Sequence, residues 1–386
     1  MHYSRVKYEP IQVKDLLIKM KNFAELMVYL AYCSVMYGDS KLAKEVMRLE
    51  KYVDYLSLQL LIHASLATRN VEDAISMLSI FKAASAMDKI SDAAADIASV
   101  ALDSKPSLVG RVILGLGEEI VSRIKIRKNS RLIGLTLKEV FEKIGFIFDV
   151  LAIRRDEHWF LEPSPTFRLD VDDAIIVRGH QVGLNSLKRE ALDVQEKERI
   201  EVPSKYSVIL MALKELRDVS DLMVDLACSA LATGSRKIAE IIIDLENYVD
   251  GLYISYEQKV LKSKEFDIND MLKFVRIAVA TENIADAANE IAEVILRGAT
   301  PHPILVSVFR EAEERIIDVK VNEILANKRL GELELEKIGA IVLAVQHEDK
   351  WLIKPRSDFK LQYGDTLIVR CYAEAEEKLL EILRGS

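Results

Sequence analysis

The sequence predicts a multi-domain protein of mixed α and α+β class, in which two antiparallel three-helix bundles alternate with two small α+β domains. Two observations lead to this prediction. The chain of 386 residues repeats its own pattern after about half its length. Within each repeat, apolar residues first recur every three or four positions and then alternate with polar ones, which indicates helices followed by strands. A chain of this length also exceeds one ordinary core, so several domains are expected.

The internal repeat is seen in two long matches. Residues 25–46, "ELMVYLAYCSVMYGDSKLAKEV", correspond to residues 221–242, "DLMVDLACSALATGSRKIAEII". Residues 151–179 align without a gap to residues 343–371, and this alignment places the two tryptophans of the chain opposite each other. The spacing between matched blocks changes only by small steps, so insertions are expected in loops. Each half is therefore predicted to be the same two-part module.

The first part of each module is predicted to be a bundle of three helices. Apolar residues recur at helical spacing within 14–36, namely at Leu16, Leu17, Met20, Phe23, Met27, Leu30 and Ala31. Gly38 follows this segment and Gly234 follows the matching one, as expected for a helix end. A second helix, and a third over about 71–102, complete the bundle, and their short connections predict antiparallel packing.

The second part of each module is predicted to be a small α+β domain of three to five strands. "RIKIR" at 123–127 and "DVKV" at 318–321 alternate apolar and polar residues, as a half-buried strand does. "GLTLKEVFEKIG" predicts a short helix, which is shortened to "GELELEKIG" in the second module. A hairpin and a further strand follow, and a helix closes the chain.

These patterns divide the chain into five segments. The predicted boundaries are 1–108 for the first bundle, 109–190 for the first α+β domain, 191–203 for a linker, 204–301 for the second bundle and 302–386 for the second α+β domain. The linker is placed where charged residues accumulate and where Pro203 interrupts regular structure.

The composition argues against several classes of function. A formal net charge of -8 disfavours nucleic acid as the partner, because phosphate binding relies on clustered Lys and Arg. The three cysteines lie far apart with no CxxC pair, so neither a disulfide framework nor a zinc site is indicated. The N-terminal residues form no apolar signal segment, and no run of apolar residues is long enough to span a bilayer. A cytoplasmic protein without membrane insertion is therefore expected.

Two sets of motifs carry a resemblance to known families. The bundles combine "LExxVDxL" on one helix with an acidic residue, three others, Asp and then Ala-Ala on the next, and they resemble the PhoU domain. The α+β parts combine an alternating strand, "W-x-x-x-P" in a hairpin and "GDTLIV". They resemble the TrkA-C domain, the C-terminal lobe of RCK regulators of potassium channels and transporters. The chain thus resembles the stand-alone, largely archaeal proteins that fuse the two domains, here in tandem duplicate.

The resemblance implies a metal site in each bundle, because in PhoU-like bundles the two acidic motifs face each other and are associated with metal. The implied ligands are Glu50, Asp54, Asp88 and Asp92 in the first bundle and Glu246, Asp250, Glu282 and Asp286 in the second. The implied cofactor is a divalent or iron-type ion, since hard cations bind carboxylate oxygens. Asp88 stands where the family pattern usually has Glu, which makes a site in the first bundle less secure.

Spacing alone leaves a second interpretation of these carboxylates open. Like charges four residues apart on a helix share a face and repel by a few tenths of a kcal/mol, so some compensation is expected. A metal ion would supply it, but so would water on a solvated face or ion pairs with Lys51, Lys89 or Arg276. Asn289, which lies three residues beyond Asp286, is able to add an oxygen ligand in the second bundle.

The TrkA-C resemblance also implies a small ligand, since some of these domains bind cyclic di-AMP at their dimer interface. Such a cyclic dinucleotide would meet the basic cluster Arg123, Lys125, Arg127, Lys128 and Arg131. Alternation along a strand explains three of these residues equally well as an outward-facing row. The nucleotide-binding lobe of full RCK proteins has no counterpart here, because "GLG" at 115–117 lacks the GxGxxG pattern, so NAD is not expected.

No catalytic residues are predicted. No His follows a Glu by three positions, as a di-iron bundle requires, and no GxSxG motif is present. The predicted function is that of a non-enzymatic cytoplasmic regulator, a homodimer, that senses an ion or small ligand. Through a membrane channel or transporter it would modulate a potassium or related cation transport system. The alternatives are a metal-binding PhoU-like regulator of phosphate uptake or signalling, and a purely structural adaptor.

Overall fold

The computed structural model describes residues 7–102, 119–146, 148–156, 158–161, 163–192, 204–263, 266–310, 314–348 and 350–384. Two features from the sequence therefore fall outside the described residues. They are residues 193–203 of the predicted linker, which was placed at 191–203, and the glycine pair at 115 and 117. None of the helices in these ranges combines the length and the apolar character that crossing a bilayer requires.

The predicted fold class is confirmed, since helical bundles alternate with two four-stranded antiparallel sheets in the described residues. In chain order the elements are α1 (Val13–Tyr37), α2 (Ser40–Ala67), α3 (Val71–Ser99), β1 (Glu119–Lys125), α4 (Leu137–Ile144), β2 (Phe148–Arg155), β3 (His158–Leu161), β4 (Ala174–His180), α5 (Gln181–Glu190), α6 (Ser204–Thr233), α7 (Arg236–Lys262), α8 (Ile268–Leu296), α9 (Pro303–Arg310), β5 (Glu314–Lys320), β6 (Ala340–His347), β7 (Lys350–Ile353), β8 (Thr366–Tyr372) and α10 (Glu376–Arg384).

The ends of the long helices are set by local sequence. α1 ends at Gly38, which takes the left-handed conformation with a φ of 58°, and glycine does so without the strain of a Cβ atom. α2 begins after Asp39, whose carboxylate accepts hydrogen bonds from the backbone N–H groups of Lys41 and Leu42, each at 3.1 Å. This cap satisfies two donors that a helix start leaves free. Asn70 caps α3 through one such bond, to the N–H of Asp73.

The two bundles share one continuous apolar core. Buried residues of α1, α2, α3, α6, α7, α8 and α9 contribute to it, together with the inner faces of both sheets. α3 and α8 lie side by side in opposite directions. At one end Lys82 of α3 pairs with Glu290 of α8 at 3.1 Å, and at the other Arg276 of α8 donates to the Ser99 hydroxyl at 2.8 Å. The bundles therefore fold as one hydrophobic unit rather than as two separate ones.

Each sheet is a middle layer between the bundle core and a small core of its own. The strand orders are β1-β4-β2-β3 and β5-β8-β6-β7. One face packs on the helices through Ala152 and Ile176 in the first sheet and through Ala344 and Ile368 in the second. The opposite face is covered by α4 and α5 in the first domain and by α10 in the second. This layering fixes each sheet against its bundle.

The structure differs from the sequence prediction in three elements. The short helix predicted in the second α+β domain is replaced by two 3-10 turns, Leu330–Leu333 and Leu335–Ile338. Glu334, between them, has a left-handed φ of 48°, which interrupts an α-helix. α5 and α9 were not predicted, because α5 contains Gly183, a residue that disfavours helix, and α9 begins with a continuous apolar run that shows no helical period. α9 buries Leu305 and packs against α6 and α1.

Charged side chains join the first sheet to the first bundle. Asp39, the cap of α2, is contacted by Arg123 of β1 at 2.9 Å and by Arg154 of β2 at 3.3 Å. Arg178 of β4 donates a hydrogen bond to the Tyr29 hydroxyl of α1 at 2.6 Å. The start of α2 is therefore held by strands of the neighbouring domain as well as by its own cap.

The second half keeps one of these connections and changes the others. Arg370 of β8 lies 3.8 Å from Asp225 of α6, at the positions that match Arg178 and Tyr29, and Asp318 of β5 pairs with Lys237 of α7. The cap of α7 is Ser235, which accepts a hydrogen bond from the backbone N–H of Ile238 at 3.3 Å and carries no charge. Lys354, which follows β7, contacts Asp218 of α6 at 2.9 Å. The two halves thus have the same architecture but attach their sheets with different residues.

The double role of Asp39 predicts an unequal effect of matched cap substitutions. Asp39→Ala should lower the free energy of unfolding by about 2–3 kcal/mol, because a helix cap and two partly buried ion pairs are lost together. Ser235→Ala removes only a cap and should cost about 1 kcal/mol. Chemical denaturation followed by helical circular dichroism measures both values. Equal effects of the two substitutions would contradict the role assigned to Arg123 and Arg154.

Candidate metal centre

The first bundle brings predicted ligands from two helices together. Glu50 and Asp54 lie one turn apart on α2, and Asp92 lies on α3, which runs beside it. One carboxylate oxygen from each of these three residues lies within 4.8 Å of the others. Asp88, one turn before Asp92, has a buried Oδ1 atom with no hydrogen-bond partner. We call these four residues the first cluster.

The electrostatics of the first cluster disfavour four ionised carboxylates. Burial, followed by the charges of Asp54, Asp92 and Glu50, raises the pKa of Asp88 to about 6. Burial also raises the pKa of Glu50, Asp54 and Asp92, with repulsion from neighbouring carboxylates adding to the effect for Glu50 and Asp92. A positive ion at this position would remove the repulsion and supply a partner for the Asp88 oxygen.

Helix packing holds these carboxylates where they are. The residues that flank them point into the shared core: Leu49 and Val53 on α2 and Ala93 and Ala94 on α3 are buried. Rotating either helix to separate the acidic side chains would expose these apolar groups to water. The cluster is therefore a consequence of how the core is packed.

The second bundle has Glu246, Asp250, Glu282 and Asp286 at the matching positions of α7 and α8, and we call these four residues the second cluster. Burial, then Asp286, Asp250 and Glu246, raise the pKa of Glu282 to about 7, so the four side chains are close enough to interact. Burial also raises the pKa of Glu246 and Asp286. Within the described ranges, no group of three His, Cys, Asp or Glu residues other than that of the first cluster brings its ligand atoms within 4.8 Å of one another.

A lysine from the other bundle distinguishes the second cluster. Lys89 of α3 donates a hydrogen bond to Glu290 of α8, and its positive charge partly offsets the effect of burial on the pKa of Asp286. The matching position in the second repeat holds Asn283, which is neutral. The second cluster thus has the ammonium group of Lys89 nearby. The repeat gives the first cluster no equivalent cation, because Asn283 stands at the matching position.

The alternative interpretation through ion pairs receives little support. Of the three cations considered, Lys89 pairs with Glu290, Arg276 donates to the Ser99 hydroxyl, and Lys51 is exposed and acts on Glu50 through its charge alone. No ion pair involves any of the eight candidate carboxylates in the part of the chain that the structure describes. Asn289, on α8, has a buried Oδ1 atom without a hydrogen-bond partner.

The donor set fits a hard cation. Carboxylate oxygens, an unpartnered buried oxygen and the absence of thiol or imidazole groups in either cluster favour a divalent ion that binds oxygen, such as Mn²⁺ or Mg²⁺. In the first cluster Glu50, Asp54 and Asp92 would hold such an ion, with Asp88 one helical turn away. Position 88 holds Asp where the family pattern usually has Glu, but the carboxylates of Glu50, Asp54 and Asp92 still lie close together.

The basic cluster is partly engaged within the chain. Arg123 contacts Asp39, and Lys125 pairs with Asp172 at 2.6 Å.

Two sets of contacts were not predicted from the sequence: those of Asp39 with the arginines and that of Glu290 with Lys89. Neither Asp39 nor Glu290 belongs to an acidic motif. The only available signal was that Asp39 follows Gly38 at a helix boundary, a position that favours Asp as a cap.

The sequence matches two domain families, each of them twice. The PhoU domain family matches residues 17–101 and 213–295, and the TrkA-C domain family matches residues 121–192 and 314–384. Fold and matches together define a protein built from regulatory rather than catalytic domains. The chain belongs to the proteins that fuse PhoU and TrkA-C domains, here in tandem duplicate, and the resemblance seen in the sequence is confirmed. Its domains link it to the regulation of phosphate or potassium transport.

Several solved structures are similar to the chain at low sequence identity. PhoU from Pseudomonas aeruginosa is 15% identical, with a TM-score of 0.41, and the match covers 74% of this chain and 93% of that one. The GsuK RCK domain is 11% identical, with a TM-score of 0.19 and coverage of 70% and 64%. The GsuK channel bound to NAD is 12% identical, with a TM-score of 0.19 and coverage of 70% and 54%. The chain thus spans less than two thirds of these two GsuK chains. No match was found among curated proteins.

The raised pKa of Glu282 predicts a pH-dependent gain of stability when this side chain is neutralised. A carboxyl group with a raised pKa stabilises the folded state below its ordinary pKa, and this contribution is lost as the pH rises through about 7. In the presence of a chelator, Glu282→Gln should therefore stabilise the protein at about pH 8 by about 1 kcal/mol, a small value because the group is half-exposed. Thermal unfolding at about pH 8 and pH 4 should show the gain only at the higher pH.

Glu290 on the same helix provides a control of opposite sign. Burial raises its pKa, but hydrogen bonds from Lys89 and Lys82 outweigh burial and lower it. Its contribution to stability is present above its ordinary pKa and is lost as the pH falls through the lowered value. Glu290→Gln should thus destabilise the protein at about pH 8. If Glu282→Gln also destabilised it in chelator, the repulsion within the second cluster would be refuted.

Proposed function

We propose that this chain is a non-enzymatic regulator of a cation transport system, and that it responds to a divalent cation bound at the first cluster. One observation carries the proposal: three carboxylates from two helices converge within 4.8 Å beside a buried Asp88 oxygen that lacks a partner. Such a concentration of negative charge costs free energy in the absence of a cation. Binding a cation relieves that cost and stabilises the particular arrangement of α2 and α3.

The position of the cluster on α2 supports a regulatory role. Glu50 and Asp54 lie on the helix whose first residue follows Asp39, and Asp39 is contacted by Arg123 and Arg154 of the first TrkA-C domain. A change in the position of α2 would therefore move Asp39 and alter its contacts with β1 and β2 of that domain. Because packed helices move as rigid elements, the ion and the TrkA-C domain would be coupled through a single helix.

The link to transport rests on the domains. TrkA-C domains belong to regulators of potassium channels and transporters, so a membrane cation channel or transporter is the partner we propose, with the cytoplasm as the location. A homodimer and a small ligand of the TrkA-C domains, such as a cyclic dinucleotide, are parts of the same proposal. The PhoU domains favour a second candidate, a metal-binding regulator of phosphate uptake or signalling, since they match more residues of the chain than the TrkA-C domains do.

Cation binding should depend on the first cluster. Wild-type protein stripped with chelator should bind Mn²⁺ in a calorimetric titration. Glu50→Gln with Asp54→Asn should weaken the tightest Mn²⁺ site by at least about tenfold, because two anionic carboxylates are replaced by neutral amides, whose oxygens bind a hard cation more weakly. Glu246→Gln with Asp250→Asn is the matched pair in the second repeat and should leave that site in place. Asp244→Asn, an exposed acid on α7 outside the second cluster, should change nothing.

Two results would refute the metal part of the proposal. One is a stripped wild-type protein that binds no Mn²⁺. The other is equal Mn²⁺ binding by the wild type and the variant in the first cluster. Elemental analysis of protein purified without added metal then identifies which divalent or iron-type ion is carried.

The transport partner can be identified by cross-linking and affinity purification of the full chain from native membranes. We expect enrichment of a membrane protein that transports a cation, and a weaker enrichment for the variant with Glu50→Gln and Asp54→Asn. Enrichment of phosphate-uptake components instead would favour the second candidate. Repeated failure to enrich either class would count against both.

A further inference from the structure

An exposed apolar stripe continues from the first cluster along the same face of α2. Counting in helical steps of four, four and three residues, Glu50 is followed on one face by Asp54, Leu58 and Leu61. Leu58 is 44% exposed and Leu61 is 41% exposed. The core-facing side of the same helix is formed by other residues, such as Leu56 and Leu60, which are fully buried. α2 therefore has a second apolar face that the fold itself does not cover.

The neighbouring helix α3 continues the stripe. Moving back from Asp92 and Asp88 in alternating steps of three and four residues leads to Leu78 and then Val71 on one face. Leu78 is 47% exposed and Val71 is 69% exposed. Since only residues 68–70 connect the antiparallel helices α2 and α3, Leu78 lies at about the same level along the bundle as Leu58 and Leu61. We call Leu58, Leu61, Val71 and Leu78 the first stripe.

The second repeat contains a similar combination, although the position that matches Leu61 holds Glu257. On α7 the steps lead from Glu246 and Asp250 to Ile254 and Leu261, and on α8 they lead from Asp286 and Glu282 to Val279, Leu272 and Ile268. These five apolar residues form the second stripe, and all of them are exposed. Ile254 matches Leu58 in the repeat and Leu272 matches Leu78, with exposed fractions of 55% and 56%. An exposed apolar side chain at both matched positions argues against a chance occurrence on one surface.

We propose that each acidic cluster and its adjoining stripe dock a basic amphipathic helix of a partner protein. Exposed apolar side chains that lie together mark an interaction surface, and the shallow surface between two antiparallel helices suits the apolar face of a third. The acidic cluster at one end fixes the sign of the partner's charge, because Lys or Arg beside the apolar face of the partner helix would be attracted there. From Glu50 to Leu61 the surface is about 17 Å long, which corresponds to about three helical turns.

The surroundings of the first stripe support an external occupant. Residues 7–12 cover the adjacent side of α2, where the backbone N–H of Glu9 donates to the Gln59 side chain at 3.0 Å and the Glu9 carbonyl lies 2.8 Å from His63 Nε2. In the described part of the chain, this N-terminal segment leaves the stripe exposed. An anionic lipid surface is disfavoured as the occupant, since four carboxylates at the end of the stripe would repel it.

The proposal is independent of metal binding and is tested in the presence of a chelator. The probe is a fluorescent designed helix of Leu and Lys of about 18 residues, long enough to form a helix, and the control is a helix of the same pattern with Glu in place of Lys. The full-length wild-type chain should bind the Lys helix at least about tenfold more tightly than the Glu helix in fluorescence anisotropy. Equal binding of the two helices would overturn the proposal.

Substitutions then locate the site. Leu58→Ser, Leu78→Ser, Ile254→Ser and Leu272→Ser, combined in one chain, should weaken binding of the Lys helix by at least about tenfold. Met211→Ser, at a residue of α6 that is 62% exposed and outside both stripes, should have no effect. Asp54→Asn with Asp250→Asn should reduce the preference for the Lys helix. Wild-type affinity in the combined Ser variant, with an unchanged circular dichroism spectrum, would overturn the proposal.

Discussion

The packing of α3 against α8 is the constraint on which the rest of the structure depends. Both helices are rich in alanine, with Ala83, Ala86, Ala280 and Ala287 buried, and small side chains allow two helix backbones to approach closely. This contact joins two bundles into one core, which a short three-helix bundle alone would provide only in part. Because the alanine-rich faces are directed inward, the acidic residues of the same helices must lie to the side, next to those of α2 and α7.

The two repeats have kept this geometry and changed the charges around it. Lys89 donates to Glu290 next to the second cluster, while the repeat places a neutral Asn283 at the matching position. Asp39 caps α2 and binds two arginines, whereas Ser235 at the start of α7 only caps. Carboxylate clusters respond strongly to one nearby ammonium group. The pseudo-symmetric protein therefore has two acidic clusters of unequal electrostatic character, and one duplicated module can supply two different responses.

Local features of this fold could be predicted from the sequence, and contacts between distant segments could not. The long helices and the central strands follow from apolar periodicity, whereas α9 begins with a continuous apolar run that has no helical period. The spacing of Glu50 and Asp54 places them on one face, but their approach to Asp92 depends on the packing of α2 on α3. Periodicity also treats Leu58 and Leu56 alike, although only the second is buried. Burial is a property of the assembled core, so the apolar stripes emerge only with the structure.

The position of cluster and stripe on one face has a consequence for regulation. A divalent cation in the first cluster would cancel part of the charge that attracts a basic helix, without altering the apolar contact beside it. Ion and helix would then oppose each other through Coulomb interactions that are effective over a few ångströms in a partly buried site. By linkage, each ligand weakens the other by the same factor. A sensor built in this way needs no large conformational change, because the ligand site and part of the docking surface are formed by the same carboxylates.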